Sequence, residues 1–85
     1  MSYTIKRNIK ETPTDPTEFE NAVRFTIQRM VKDGSIYASY RDIFHYNRWT
    51  FSGHTTRRIG RVLRNKLNMK QINPRCYKIP EELLT

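Results

Sequence analysis

Apolar positions recur along this chain with two distinct spacings. Between Pro16 and Lys32, Phe19, Ala22, Val23, Ile27, Met30 and Val31 keep the three-and-four step of a helix stripe facing a core, while Glu18, Glu20, Arg24, Gln28 and Lys32 lie outside it with mixed signs. The opening Asp15-Pro16-Thr17-Glu18 reads as a helix start. It has an acid as N-cap, proline at the first helical position and a carboxylate three residues after the cap. Gly34, in Asp33-Gly34-Ser35, suits the left-handed residue that closes such a helix. Ile36-Tyr37-Ala38 is too short for a helix and reads as a brief strand. Ser39 then caps a second, short helix with the apolar edge Tyr40, Ile43 and Phe44, ending near Tyr46 or Asn47. Met69–Ile72 and Cys76–Ile79 read as two strands around an Asn73-Pro74-Arg75 turn. Glu81–Thr85 is a tail with room for one helical turn.

A third helix is predicted over 52–68, and it differs from the first in kind. Ser52 is its N-cap. At about 100° per residue, Thr56, Ile59, Gly60, Leu63 and Leu67 fall on one side, with Val62 at the edge. His54, Arg57, Arg58, Arg61 and Asn65 fall on the other, flanked by Arg64 and Asn68. The segment holds no acid. A solvated helix exterior ordinarily mixes charge signs, so a row of guanidinium, imidazole and amide groups points to an anion as partner. Arginine forks match phosphates and guanine edges in particular.

Between the second and third helices, Trp49 and Phe51 alternate around Thr50. Both rings are expected to plug the helix junction, the sharper alternative being that one stacks on a base. Before Pro13, Tyr3, Ile5, Arg7 and Ile9 alternate with polar residues, and Lys6, Arg7 and Lys10 oppose only Glu11. Residues 1–14 therefore read either as a short strand or as a basic arm laid along a nucleic-acid backbone or minor groove.

Charge sharpens this picture. Sixteen Lys and Arg oppose eight Asp and Glu, a formal net charge of +8 that favours a polyanionic partner. Length allows one domain, 15–80, between the arm and the tail 81–85. Hydrophobic residues make up only 36%, so the ten aromatic rings must supply much of the core. No apolar run approaches spanning length and no signal-peptide core follows Met1; the lone Cys76 fits a reducing compartment. The expectation is a soluble cytoplasmic or nucleoid-associated protein with no membrane partner. His45, His54 and Cys76 lie far apart without zinc-type spacing, so no metal site is expected. No glycine-rich phosphate loop or nucleophile motif is present, so neither an enzyme nor a cofactor is expected.

The order helix, short strand, short helix, linker, basic helix, hairpin resembles the winged-helix branch of the helix-turn-helix proteins. The resemblance covers roughly residues 15–80 and rests on element order and charge placement. It implies a mainly α fold with three helices and a small β-hairpin wing. It also implies that helix 52–68 enters the major groove of double-stranded DNA and that Asn73–Arg75 is the wing tip. Two features depart from the pattern: the link from Asn47 to Phe51 is longer than the most compact turns, and the wing is short. Residues near the start of a recognition helix come closest to base edges. His54, Thr55, Arg57, Arg58 and Arg61 are then the candidate readers, with Arg58 and Arg61 as a guanine-gripping pair. Ser52 and Thr55 suit a phosphate at the helix start. Arg64, Asn65, Lys66, Lys70, Arg75 and Lys78 would add further contacts or sequence-independent attraction. A sequence-specific transcription regulator is the function so implied, with a homodimer open through the arm or tail. Charge alone does not separate DNA from RNA, so an RNA- or ribosome-associated protein stands as an alternative. A winged-helix adaptor or inhibitor that binds an acidic protein is another.

Overall fold

The computed structural model describes residues 10–84. Within them the order is α1 (Pro16–Lys32), β1 (Tyr37–Ser39), α2 (Tyr40–Asn47), α3 (Gly53–Arg61), a π-helical turn (Val62–Lys66), β2 (Lys70–Asn73), β3 (Cys76–Lys78) and α4 (Glu81–Leu84). The chain is thus mainly helical with a small antiparallel sheet, as the pattern predicts. The alternation expected over Tyr3–Ile9 lies outside the described residues.

Local chemistry sets the helix starts. Asp15, Ser39 and Ser52 each accept a hydrogen bond from the backbone N–H three residues on, at 2.9, 3.2 and 3.1 Å. Each cap satisfies one of the donors that a helix start leaves unpaired. Gly34 closes α1 with φ +97°. α2 ends at Asn47, as expected, and the left-handed residue after it is Arg48, at φ 59°. Asn47 stays helical because its amide is committed, donating to the Thr26 hydroxyl at 2.8 Å and to the Ile43 carbonyl at 2.9 Å.

The sheet order is β1-β3-β2, with β3 in the centre. Ala38 pairs with Tyr77 and both side chains are buried, while Tyr37, Lys78 and Lys70 form one cross-strand row on the outer face. A bulge between Gln71 and Asn73 shifts the β2 register. Asn73 Oδ1 accepts from the Arg75 N–H at 2.9 Å and tightens the turn.

The core lies between α1, α2, α3 and the inner face of the sheet. Val23, Met30, Ile43, Ile59, Leu63, Tyr77 and Ile79 are fully buried there. Thr26 joins them although no apolar stripe includes it; its hydroxyl donates to the Ala22 carbonyl at 2.8 Å and so buries without an orphaned donor. Trp49 is buried and stacks on Phe19, centroids 5.3 Å apart. Phe51 does not follow it inward. It is 68% exposed and leans on the Phe44 ring at 4.9 Å, because alternation about Thr50 sends the two rings to opposite sides.

The third helix also departs from expectation. It does not run as one α-helix over 52–68. α-Helical pairing ends at Arg61, and the Leu67 N–H reaches five residues back to the Val62 carbonyl at 3.0 Å. Val62, Leu63 and Leu67 along this wider turn, and Met69 after it, are buried. Asn68, at φ 53°, then turns the chain into β2.

Candidate nucleic-acid interface

The Ser52 cap orients α3, and the burial of Thr55, Ile59 and Gly60 fixes its rotation. His54, Arg57 and Arg61 are exposed as a result, with Arg64, Asn65 and Lys66 continuing the basic surface along the π-helical turn. Arg57 and Arg61 stand one helical turn apart. Among the described residues the side chain of neither makes a hydrogen bond or ion pair, and the segment 52–68 contributes no acid. The acids sit elsewhere: Glu20 holds Arg24 at 2.8 Å along α1, and Asp33 accepts from the Tyr46 hydroxyl.

Three of the candidate residues, and Thr56 beside them, are placed differently from the sequence expectation. Thr55 is buried, so it offers nothing to a base or a phosphate. Thr56, assigned to the apolar side, is half-buried and donates its hydroxyl to the Ser52 carbonyl at 2.8 Å. The stripe of Ile59, Gly60, Leu63 and Leu67, with Val62 at its edge, is buried as expected, and only its N-terminal member differs: Thr55 and not Thr56 joins Ile59 in the core. Ser52 is half-buried, and its side-chain oxygen is engaged as the helix cap. Arg58 does not stand free beside Arg61 as a second guanine reader. It turns toward α1, its guanidinium carbon lies 3.9 Å from the Phe19 ring centroid, and Nη1 donates to the Pro13 carbonyl at 2.8 Å.

Arg64 is exposed in part but anchored. Its Nη1 donates to the Tyr77 hydroxyl at 2.7 Å, and that hydroxyl is 2.7 Å from the Tyr40 hydroxyl. Burial, together with the Tyr77 hydroxyl, pushes the Tyr40 phenol up to about 12. Lys70 lies directly across from Lys78, whose ammonium stands 5.8 Å from the Tyr37 ring centroid, and Arg75 is exposed in the turn. The hairpin thus presents cations on its outer face.

Two further features belong to this face, the first foreshadowed by the alternation about Thr50 and the second without a local sequence signal. One is the exposed Phe51 directly before the α3 cap. The other is an open cleft of about 520 Å³ between α1 and α3, with Thr17 and Phe19 on one wall and His54, Arg58, Arg61 and Lys66 on the other. Residues 10–14 lead to that cleft. The Lys10 N–H donates to the Arg48 carbonyl at 2.9 Å, and Lys10 pairs in a parallel bridge with Trp49. The end of the predicted arm is therefore packed on the α2–α3 link. Among the described residues no three of His, Cys, Asp or Glu come together as a metal site, and no helix is long and apolar enough to cross a membrane. No family model, no curated protein and no solved structure matches this chain.

Proposed function

We propose that the chain is a winged-helix protein that binds double-stranded DNA in a sequence-dependent way, as a small transcription regulator. The observation that carries the reading is the pair Arg57 and Arg61: adjacent, exposed, unopposed by acid among the described residues, and presented by a capped helix. Support comes also from topology, a strand between the first two helices that joins the hairpin after the third in the order β1-β3-β2.

In this reading α3 lies in the major groove, whose width admits a helix and whose edges distinguish all four base pairs. Arg57 and Arg61 each offer a forked pair of donors to guanine, at about 1–3 kcal/mol of discrimination apiece. His54 sits one turn before Arg58 and meets the edge or the backbone next to them. Lys70, Arg75 and Lys78 attract phosphates irrespective of sequence and fix the register. Asn65 and Arg64 extend the contact along the groove.

The experiment is a selection of duplexes from a random pool, followed by titration of the selected duplex, a scrambled duplex and duplex RNA at two salt concentrations. Strong preference for the selected DNA is expected, because the deep, narrow major groove of A-form RNA does not admit a helix. Arg57→Ala and Arg61→Ala should each erase most of that preference. Equal binding of all three polymers, or unchanged preference in both variants, rules the reading out.

A further inference from the structure

Arg58 is a half-buried cation with no carboxylate partner among the described residues, and residues 1–9 contain no Asp or Glu. Its guanidinium is held from two sides, by the Phe19 ring 3.9 Å below and the Pro13 carbonyl at 2.8 Å. A ring face and one carbonyl replace only part of a cation's hydration, and four of the five N–H donors of the fork remain unassigned. Glu20, the acid on the opposite wall, is engaged by Arg24 at 2.8 Å. His54, Arg61 and Lys66 line the same wall as Arg58, and the Thr17 side chain faces them from the first turn of the 17-residue α1, whose dipole is positive at that end. A cleft of about 520 Å³ with cations on one wall and its acid occupied is built for an incoming anion.

We propose that the α1–α3 cleft is a phosphate-binding site in which Arg58, pre-oriented by Phe19 and Pro13, grips a phosphoryl group through its remaining forked donors while Arg61 and Lys66 supply charge. The phosphoryl group comes either from the backbone of duplex DNA lying against α3, which rests on the DNA-binding reading, or from a free phosphorylated small molecule, which does not. Either source makes Arg58 a clamp and not a reader of bases.

The test uses the full chain with Arg58→Gln and Arg58→Lys, folding being followed by circular dichroism. On the selected duplex, Arg58→Gln should lower the slope of log affinity against log salt by about one and weaken matched and scrambled DNA alike. Arg58→Lys, which keeps the charge, should retain the slope and serves if the glutamine variant does not fold. In parallel, inorganic pyrophosphate is titrated into the free protein and the amide resonances of Thr17, His54 and Arg58 are followed by NMR. Saturable shifts that vanish in Arg58→Gln identify a free phosphorylated ligand, and a slope change without them identifies the DNA backbone. An unchanged slope together with unshifted resonances overturns the proposal, as does an Arg58→Gln variant that loses matched-over-scrambled preference. If wild-type protein shows no DNA preference at all, the DNA reading fails while the pyrophosphate arm still decides the cleft.

Discussion

A β-carbon on Gly60 would lie 2.8 Å from the Tyr40 hydroxyl. It would also lie 2.9 Å from Arg64 Nη1 and 3.2 Å from the Tyr77 hydroxyl. The arginine tip can swing aside, but the Tyr40 hydroxyl is bonded at 2.7 Å to that of Tyr77, which is fully buried and cannot retreat. Gly60→Ala therefore sets an overpacking cost of about 1–3 kcal/mol against a helix-propensity gain of about 1 kcal/mol. The net expectation is a loss of stability of about 1 kcal/mol, read as a melting temperature lower by about 4–8 °C. Removing the obstructing oxygen tests the cause: in a Tyr40→Phe background the same substitution should be neutral or stabilising. An equal loss in both backgrounds would locate the strain elsewhere.

The same hydroxyl pair predicts a response to alkali. The Tyr40 phenol is pushed up to about 12 by burial and then by the Tyr77 hydroxyl, from an ordinary value near 10. The folded state thus holds this proton more tightly than the unfolded state. The stability so contributed is full below pH 10 and is lost as pH rises from about 10 through about 12. Tyr40→Phe should flatten this part of the melting-temperature profile relative to wild type, while the deprotonation of lysines affects both proteins equally. Phenolate absorbance should likewise show one tyrosine fewer titrating late. Superimposable profiles above pH 10 would remove the account.

Thr26 ties α1 to α2 through one hydroxyl, which donates to the Ala22 carbonyl and accepts from the Asn47 amide. Thr26→Val keeps the volume and strips that acceptor from a half-buried amide. A loss of about 1–2 kcal/mol is expected, visible in the urea midpoint with an unchanged m-value. Thr26→Ser should recover the hydrogen bonds and lose only a methyl contact. A valine variant as stable as wild type would mean that the Asn47 bond to the Ile43 carbonyl suffices.

These cases show which parts of the molecule are legible in the chain. The caps at Asp15, Ser39 and Ser52 are readable because each involves a side chain and an N–H three residues apart. The α1 stripe is readable because burial follows the helix period, and Thr26 escapes it only because a distant amide satisfies its hydroxyl. The π-helical turn is not readable, since it depends on where Leu67 and Met69 find the core. The orientation of Arg58 depends on a carbonyl 45 residues earlier and on the Phe19 ring, contacts that a helical wheel of α3 omits. The wheel thus identified a basic helix and its exposed Arg57 and Arg61. It misassigned two residues outside the stripe: Thr55, which packs beside Ile59, and Arg58, which is drawn toward α1.

Phe51 stands where an apolar ring ordinarily would not. It is 68% exposed and its aromatic neighbour is Phe44, with ring centroids 4.9 Å apart. A ring in that position contributes little to folding, so Phe51→Ala should cost less than about 1 kcal/mol of stability, most of it from the lost contact with Phe44. Its position just before the α3 cap gives it a different role in the DNA-binding reading, as an apolar contact to a thymine methyl or a base face beside the arginine pair. Apolar surface buried in such a contact contributes about 1–2 kcal/mol, so Phe51→Ala should weaken the selected duplex about tenfold. No charge is removed, so the salt slope should remain that of wild type, which separates Phe51 from any phosphate-gripping cation. Affinity per folded molecule that is unchanged, with a melting temperature lowered by more than about 8 °C, would show that the ring serves the α2–α3 junction after all.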